Sequence, residues 1–502
     1  MPGLLVRDVK LAVGGIWLRR PDGVDGHESD ESNRTVPVRV CSVCTDTRTI
    51  VPGDLFVALR GPNFDGAEYL ADAQAKGACA LVTSRIPDGF VPRVPTIIVE
   101  DALTALGRLA RWHRDQHKAC VIGIGGSNGK TTTRELVSGV LRSGFSVLTN
   151  EANENNRVGV PHTLLRLNEH HDFAVIEMGT SEPGEIAALA KVAAPQCAVL
   201  TSISEEHLEG LGDLDGVVRE ESELLACLPR DGIAIVNFDD PRCVTAAERA
   251  DCRVVSFGTD SRCELRADDI RCNRHGTHFL LNDKHEFRLG LHGEHNVMNA
   301  LAAIAVGWVS GVNMFDMQTA LRRVLPVGRR LEFQEIGGIG LLDDSYNANP
   351  ASTCAALRTL AKFPCNGHRI AILGDMLELG PASERLHREV AWAGTAQPVD
   401  LVVAVGKRMR ALAEIYEEHF LETGKGTVWR FDSSDEAAEH VIAELRAGDV
   451  LLVKGSNGMK MNRLVTALHK QHGGAASHVL RPTRRERPVG DPLPDVLSKP
   501  AA

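Results

Sequence analysis

The sequence predicts an α/β protein of several domains, and three observations support this. The chain has 502 residues, too many for one ordinary core. Short apolar runs alternate with helix-like stretches, as in parallel sheets covered by helices. A glycine-rich run, Gly123–Thr133, lies between an apolar run and a helical pattern. We expect a small N-terminal α/β domain at 1–118, a central parallel-sheet domain at 119–326, a C-terminal Rossmann-like domain at 327–472 and a disordered tail at 473–502.

The first region is predicted to contain four strands and a closing helix. Its alternating apolar stretches predict strands at 36–43, 55–59, 80–83 and 96–99, followed by a helix over 102–118. Residues 21–34 are polar and rich in Gly, Asp and Ser, which is typical of an exposed loop.

The glycine run predicts a phosphate-binding loop in the central region. It follows the apolar stretch Ala119–Ile122 and enters a helical pattern, so its backbone N–H groups can face phosphate oxygens. Lys130 would bring a positive charge to the β/γ-phosphates, and Thr131 would offer a hydroxyl to Mg²⁺. The strict Walker spacing would need glycine where Ile124 stands, and the alternative is a plain glycine turn. We expect ATP binding by Gly126, Ser127, Asn128, Gly129, Lys130, Thr131 and Thr132.

Two polar residues follow apolar runs of the central region. Glu177 ends one such run, at the carboxyl edge where open α/β sheets bind ligands. Its hard oxygen atoms suit Mg²⁺, although a helix-capping or solvated acid is the alternative. His207 follows the next run, and a lone histidine is more often structural than catalytic. Both residues remain candidates because the glycine loop accompanies them.

The third region repeats the strand–helix pattern of a doubly wound fold. Apolar runs predict strands at 369–373, 401–405 and 450–453. Polar stretches follow apolar runs at 343–350, 374–380 and 454–456, which predicts a ligand-facing sheet edge. The alternative for the first stretch is a loop of Asx turns.

Composition excludes several classes of protein. A net charge of −10 argues against a general nucleic-acid binder. No apolar run approaches the ~18 residues that span a membrane, and the N-terminus lacks the apolar core of a signal peptide. The 12 cysteines form no disulfide framework, and Cys41–Cys44 is a lone C-x-x-C pair. We expect a reduced, cytoplasmic protein without a membrane span or nucleic-acid partner.

These motifs, in this order, resemble the Mur ligases of peptidoglycan synthesis over roughly residues 40–470. That family has a G-x-x-G-x-x-G-K-T-T loop, which Gly123, Gly126 and Gly129 match. Within the family, the chain resembles the branch that adds D-alanyl-D-alanine to UDP-N-acetylmuramoyl tripeptide, and the matching stretches are 155–161, 177–179 with 183–186, 295–300, 344–350 and 373–380. Residues 45–48, 52–58 and 65–66 resemble the UDP-sugar-binding domain, with Thr47 where serine is usual.

The resemblance implies a monomeric, ATP-dependent acid–amino-acid ligase that uses two Mg²⁺ ions, with these two peptides as partners. It implies catalytic roles for Lys130, His207, Glu221 and Asp344, and metal ligands at Thr131, Glu177, His207 and Glu221. It implies that Asn296 contacts the adenine side and that Arg329 approaches the nucleotide from the third region. For the substrates it implies contacts from Asp46, Thr47, Arg48, Asn155, Asn156, Tyr346, Asn347 and Asn349.

One position departs from the family pattern. The family usually carries a carbamylated lysine about fourteen residues after the conserved histidine, and Glu221 stands at that position. A carbamate is a carboxylate on a longer arm, so no carbamylated lysine is expected here. We expect Glu221 to supply the anion directly and to hold the second Mg²⁺ through water or a shifted helix. Its reach is shorter by roughly 3–4 Å.

Two rival functions stay open at the level of the sequence. One is another ligase of the same superfamily, acting on a different amino acid or on folate. The stretches Asp344–Pro350 and Leu373–Gly380 argue against it. The other is a phosphate-loop protein that binds nucleotide as a regulatory or assembly module.

Overall fold

The computed structural model describes residues 4–19, 38–151 and 153–473, and its sheets and helices confirm the α/β fold class. The expected loop at 21–34 and the expected tail beyond Gly473 lie outside these residues. The described chain forms two compact units. One holds the residues up to Gly123 with Phe145–Gly179 and Gly184–Cys197, and the other holds Ile124–Gly144, Thr180–Pro183 and the residues from Ala198 onward.

The described part of the first region, residues 4–19 and 38–118, contains three helices, seven strands and a 3₁₀ turn. In chain order they are α1 (Val6–Val13), β1 (Ile16–Arg19), β2 (Val43–Cys44), β3 (Leu55–Val57), β4 (Arg60–Gly61), β5 (Phe64–Asp65), the 3₁₀ turn Gly66–Tyr69, α2 (Leu70–Ala75), β6 (Ala80–Thr83), β7 (Thr96–Ile98) and α3 (Ala102–Asp115). Five strands form one sheet in the order β1-β7-β6-β3-β2, parallel except for the edge strand β1. One apolar core of this region packs Phe56, Leu70 and Leu81 together.

Two expectations for the first region need correction. The expected strand at 36–43 is wrong over residues 38–42, because regular pairing begins only at Val43. The sequence interpretation also missed α1 and β1. In α1 the buried residues Val6, Val9 and Val13 recur at helical spacing, and Gly14 ends the helix with φ of 70°.

The second region, residues 119–326, begins with the glycine loop. Its elements are β8 (Cys120–Gly125), α4 (Lys130–Leu141), β9 (Val147–Thr149), α5 (Gly159–Leu164), β10 (Phe173–Glu177), α6 (Glu185–Ala193), β11 (Cys197–Leu200), α7 (Leu208–Leu211), α8 (Leu214–Ala226), β12 (Ile233–Asn237), α9 (Pro241–Ala247), β13 (Arg253–Gly258), β14 (Leu265–Asn273), β15 (Gly276–Leu281), β16 (His285–Leu289), α10 (Glu294–Val309) and α11 (Met314–Arg323). The strands β9 and β10 pair in parallel, as do β12 with β13 and β13 with β14.

The sequence pattern predicts parallel strands that alternate with helices in this region, and that pattern fails over residues 253–289. There β13 to β16 follow one another without a helix, and β14, β15 and β16 pair antiparallel. The alternating exposure along β14 is typical of a sheet with one solvated face. Asn282 and Asp283 both have positive φ, as a tight hairpin turn requires.

The third region contains six strands in the order β17-β18-β22-β19-β20-β21. Its elements are β17 (Glu332–Ile336), β18 (Ile339–Asp344), α12 (Pro350–Lys362), β19 (Arg369–Gly374), the 3₁₀ turn Gly380–Ala382, α13 (Ser383–Thr395), β20 (Leu401–Val405), α14 (Arg410–Thr423), β21 (Thr427–Phe431), α15 (Ser434–Glu444), β22 (Val450–Lys454), the 3₁₀ turn Asn457–Met459 and α16 (Asn462–His472). Only β17 is antiparallel to its neighbour. The parallel strands therefore end together, and the polar stretches after β18, β19 and β22 meet at one edge.

Candidate active site

The glycine loop has the backbone of a phosphate cradle. Gly126 and Gly129 have φ of 111° and 85°, which favour glycine. A Cβ atom on Gly126 would lie 2.3 Å from the Thr201 hydroxyl, and one on Gly129 would lie 2.3 Å from Asn299 Oδ1. Gly129 directly precedes α4, so the N-terminal N–H groups of this helix face the loop. The loop can therefore surround an anion only with glycine at these two positions.

Hydrogen bonds fix the loop to the segment after β11. The Ser127 N–H donates to Ser202 O at 2.6 Å, and the Ser204 N–H donates to Ser127 Oγ at 2.8 Å. Asn128 Nδ2 donates to Ser204 Oγ at 2.8 Å. The side chains of Ser127 and Asn128 therefore hold the loop, and Thr131 is buried at the start of α4 while Thr132 is half-buried.

Lys130 lies among carbonyl oxygens and two buried acids. Its Nζ donates to Gly126 O and, at 3.2 Å, to Ser127 O, and it lies 3.7 Å from Glu206 Oε1. Glu221 is fully buried, and its Oε2 accepts the Gly126 N–H at 2.6 Å. Glu206 Oε1 and Glu221 Oε1 are buried without a hydrogen-bond partner. We call Lys130, Glu206 and Glu221 the loop cluster.

Burial controls the charge of the two acids in the loop cluster. Burial raises the pKa of Glu206 to about 7, against the lowering effect of the Lys130 charge. Burial also raises the pKa of Glu221, against the Lys130 charge and the Gly126 hydrogen bond. Two acids share one lysine here, so a further positive charge would relieve the unfavourable burial of both.

Asn296 is linked to the loop through a second asparagine. Asn296 Nδ2 donates to His292 O at 2.8 Å, and Asn296 Oδ1 accepts from Asn299 Nδ2 at 2.9 Å. Asn299 Oδ1 in turn accepts from the Thr133 hydroxyl at 3.2 Å. Burial lowers the pKa of the neighbouring His295 to about 4, so that ring is neutral. The sequence interpretation selected Asn296 and missed the role of Asn299, which lies three residues later on the same helix face.

Asp344 is paired within the third region. Its Oδ2 lies 2.7 Å from Lys454 Nζ, and its Oδ1 accepts the Leu331 N–H at 3.1 Å. Lys454 also donates to Asn347 O at 2.9 Å, and the Asn347 side chain is exposed. Asp343 is buried, which raises the pKa of its carboxyl. We call Asp343, Asp344 and Lys454 the strand-end cluster.

Arg329 and Tyr346 contact each other at the same edge. The Tyr346 N–H donates to Arg329 O at 3.1 Å, and the two neighbouring guanidinium groups lie 5.7 Å (Arg329) and 4.0 Å (Arg330) from the centre of the Tyr346 ring. Arg329 and Leu331 have positive φ, a strained backbone for such residues. Two cationic side chains are thus presented beside one aromatic face.

Asn349 binds both its own helix and the glycine loop. Its Oδ1 accepts the Ser352 N–H at 2.9 Å and caps α12, while its Nδ2 donates to Asn128 Oδ1 at 2.9 Å. The sequence interpretation placed Asn349 among the substrate contacts, and the structure shows this side chain engaged in contacts within the protein.

Glu177 lies in the compact unit that holds the residues up to Gly123 and Phe145–Gly179. The expected substrate contacts Asp46, Thr47, Arg48, Asn155 and Asn156 lie in the same unit. Glu177 is buried at the end of β10, and its Oε1 accepts from Asn155 Nδ2 at 2.9 Å. Asn156 Oδ1 accepts the N–H groups of Val158 and Gly159. Asn155 therefore orients a carboxylate, and Asn156 shapes the turn that opens α5.

A cavity of about 710 Å³ lies in the same unit, and Asp46, Asn156, His162 and Arg166 are among the residues that line it. Arg48 binds the Asp46 carboxylate at 2.6 to 3.0 Å, which lowers the pKa of Asp46 to about 2. Thr47 is half-buried, and its carbonyl oxygen accepts from Lys76 Nζ at 3.0 Å. The cavity has the size and polar lining of a small-molecule site.

His207 lies at the start of α7, where its Nδ1 lies 2.5 Å from Glu378 Oε2. Within residues 4–19, 38–151 and 153–473, no three His, Cys, Asp or Glu side chains are grouped to hold a metal ion. The metal roles of Thr131, Glu177, His207 and Glu221 therefore stay predictions. Sequence reasoning missed Glu206, which directly precedes His207, and Glu378, which lies inside a motif it had singled out.

Three stretches of the chain match family models for the Mur ligases. Residues 39–114 match the Mur ligase family catalytic domain, residues 124–307 the Mur ligase middle domain, and residues 329–457 the glutamate ligase domain. A relative from Escherichia coli (strain K12) is 37% identical over 86% of this chain and 94% of its own length. That relative is UDP-N-acetylmuramoyl-tripeptide–D-alanyl-D-alanine ligase. The chain belongs to the Mur ligase family.

Two solved structures have the same fold. MurF from Acinetobacter baumannii has a TM-score of 0.82 and 29% identity, and the match covers 93% of this chain and 99% of that one. MurF ligase from Thermotoga maritima in complex with ADP has a TM-score of 0.76 and 26% identity, over 86% of this chain and 98% of that one. The expected family is thus confirmed, while the exact domain boundaries stay predictions. In the described part of the chain, no helix has the length and apolar character needed to cross a membrane.

Proposed function

We propose that this chain is a monomeric cytoplasmic ligase that uses ATP to join D-alanyl-D-alanine to UDP-N-acetylmuramoyl tripeptide in peptidoglycan precursor synthesis. The observation that carries the proposal is the glycine cradle with Lys130. The chain matches a ligase of that name over 86% of its own length and 94% of the relative's length. The polar edge of the third region gives further support, because Asn349 binds the glycine loop directly.

The proposed reaction activates a carboxylate, which is a poor electrophile. A carboxylate oxygen of the tripeptide attacks the γ-phosphorus of ATP, which forms an acyl phosphate and releases ADP. The amine of the dipeptide attacks the acyl carbon and loses a proton, and the tetrahedral intermediate expels phosphate. Catalysis of this kind depends mainly on positioning and on neutralising phosphoryl charge.

The residues of the loop suit this task. The N-terminal N–H groups of α4 and Lys130 would bind the β- and γ-phosphates, and the Asn296–Asn299 pair would position the adenine side. Arg329 would approach the nucleotide from the third region, as would Asp344. The cavity beside Asp46 and Asn156 would hold the sugar nucleotide, with contacts from Thr47, Arg48 and Asn155, while Tyr346, Asn347 and Asn349 would lie near the peptides.

Mg²⁺ fits the oxygen-rich residues that the family pattern selects. When bound, Mg²⁺ would neutralise phosphate charge, and Thr131 and Glu177 are the proposed ligands of the first ion. Glu221 Oε1 is buried without a partner, a position that a cation would satisfy. We therefore propose Glu221 and His207 for the second ion, with Glu221 in place of a carbamylated lysine.

The test is phosphate release by the purified protein with ATP, magnesium and both peptides, omitting each component in turn. The proposal requires all of them for release. Release without the dipeptide, or no release, would refute the substrate assignment. A different acceptor amino acid that replaced the dipeptide would indicate another ligase of the superfamily, and nucleotide binding without turnover would indicate a regulatory module.

Glu221 is tested by bicarbonate, which carbamylates a lysine but leaves a glutamate unchanged. The rate of phosphate release by the wild type should not depend on bicarbonate. Glu221→Gln should lower that rate roughly 10–100-fold. Glu221→Lys should regain activity only when bicarbonate is added. Electron paramagnetic resonance of bound Mn²⁺ with ADP should show one ion fewer in Glu221→Gln. A bicarbonate-dependent wild type, or an unchanged ion count, would overturn the assignment.

A further inference from the structure

Glu378 contacts His207 from a different domain. His207 lies in the stretch that matches the middle-domain model, and Glu378 lies in the stretch that matches the glutamate-ligase-domain model. The two residues are 171 positions apart, yet His207 Nδ1 and Glu378 Oε2 lie 2.5 Å apart. The backbone repeats the contact, because the Glu209 N–H donates to Glu378 O at 3.3 Å. Two separate bonds thus join α7 to the segment after β19.

Both residues adopt a backbone conformation that side chains disfavour. The φ angle is 49° at His207 and 63° at Glu378. Such a conformation persists only where the surrounding structure holds the residue. The side chains of these two residues are bonded to each other, so the strained backbone and the contact occur at the same place.

Three hydrogen bonds within the third region hold the segment that carries Glu378. Asp375 Oδ1 accepts the Met409 N–H at 2.8 Å, the Met376 N–H donates to His387 Nε2 at 3.1 Å, and the Leu377 N–H donates to Ser456 Oγ at 2.9 Å. Three consecutive residues are therefore fixed to three different parts of the third region. Glu378 follows them directly, so its position is set by this scaffold.

The hydrogen bond selects one form of the His207 ring. An ionised carboxylate only accepts hydrogen bonds, so Nδ1 carries the proton that lies between Nδ1 and Glu378 Oε2. In the neutral ring, Nε2 then has a free lone pair with a fixed direction. A carboxylate in this role typically orients a ligating histidine and strengthens its basicity.

We propose that Glu378 is a positioning residue that orients His207 for the reaction and does so only when the two domains are in contact. This inference rests on the proposed function. It makes the productive orientation of His207 depend on a residue of the third region.

The experiment compares kcat and KM for MgATP and both peptides in the wild type, Glu378→Ala, Glu378→Gln, His207→Ala and the double variant Glu378→Ala/His207→Ala. Glu378→Ala should lower kcat roughly 10–100-fold and leave the KM for MgATP within about threefold. Glu378→Gln should recover part of the loss, because its amide oxygen still accepts from Nδ1. The double variant should be no slower than His207→Ala, since Glu378 acts through His207.

Glu384→Gln is the matched control, because Glu384 is an exposed acid six positions further on, with a side chain 75% exposed. It should leave kcat unchanged. The proposal would be overturned if Glu378→Ala lowered kcat by the same factor in the His207→Ala background as in the wild type. It would also be overturned if Glu378→Ala left kcat unchanged. A wild type that releases no phosphate with all substrates present would instead refute the proposed function, so the two failures are distinguishable.

Discussion

Two clusters each combine one lysine with two carboxylates, and they differ in how completely their charges are paired. In the strand-end cluster Lys454 Nζ lies 2.7 Å from Asp344 Oδ2, while Asp343 Oδ1 accepts the Ser345 N–H at 3.1 Å. The loop cluster holds Lys130 with Glu206 and Glu221. Lys130 Nζ lies 3.7 Å from Glu206 Oε1, and one buried oxygen of each acid lacks a hydrogen-bond partner. The first cluster is satisfied within the protein, and the second is arranged for a ligand.

The backbone explains the difference. Asp344 and Lys454 are paired in register on the neighbouring strands β18 and β22, so their side chains leave the sheet side by side. Lys130 instead begins a helix after a glycine turn, and its flexible side chain folds back onto the loop carbonyl groups. A phosphate group can exchange with those carbonyl contacts, whereas loss of Lys454 would leave the partly buried Asp344 without its ion-pair partner.

The largest effect on stability is expected from Lys454→Met. Removing one partner of a buried ion pair leaves the other charge unpaired, which costs about 3–5 kcal/mol. Urea denaturation should show this loss in the free energy of unfolding. The double variant Asp344→Leu/Lys454→Met should recover much of it, because neither charge then remains. A loss below about 1 kcal/mol in Lys454→Met would show that the Asp344–Lys454 ion pair contributes little to stability.

Lys130→Met should act on activity. Loss of one preorganised charge contact to the transition state typically costs about 10²–10³-fold in kcat. We expect a loss of that size in phosphate release with all substrates present, together with a folded circular dichroism spectrum. Lys470→Met, at an exposed lysine of α16, is the matched control. Full activity in Lys130→Met would remove the distinction between the two clusters.

Asn349 links the third region to the glycine loop, and substitutions can distinguish the effects of its two hydrogen bonds. Asn349→Ala removes both the cap of α12 and the bond to Asn128, and it should cost about 1 kcal/mol of stability. Asn349→Ser keeps a capping oxygen but cannot reach Asn128, so its stability should stay within about 0.5 kcal/mol of the wild type. The affinity for ADP should decrease, because Asn128 of the glycine loop loses a hydrogen bond that holds it. Calorimetric titration with ADP measures the second effect. Equal stability losses in both variants would show that the bond to Asn128, and not the cap, is the stabilising contact.

The sequence predicted those parts of the site that local backbone geometry determines. The strand, glycine turn and helix around Gly126 and Lys130 are consecutive, and the expected fold class, strands and ATP-type loop followed from them. Glu206 and Glu221 join the loop only through folding, since Glu221 lies 95 positions from Gly126. The contact of His207 with Glu378 and the antiparallel strands at 265–289 are likewise long-range pairings, which periodicity along one segment does not reveal.

The smallest predicted effect is a pH dependence of stability caused by His387, which supports the segment after β19. Its ring is fully buried, Nε2 accepts the Met376 N–H and Nδ1 donates to Ser383 O at 2.7 Å, so the folded protein holds it neutral. Burial lowers the pKa of His387 below its usual value of about 6.5. As pH falls below about 6.5, His387 binds a proton in the unfolded chain but stays neutral in the folded chain. The contribution of the neutral His387 ring to stability therefore decreases until the pH reaches the pKa of His387 in the folded chain. His387→Gln should be less stable than the wild type at pH 8, and the difference should shrink between pH 7 and pH 5 in denaturant midpoints. His170→Gln, at an exposed histidine, should follow the wild type throughout. A His387→Gln curve parallel to that of the wild type would mean that folding does not shift the pKa of His387, which would contradict the neutral, buried ring.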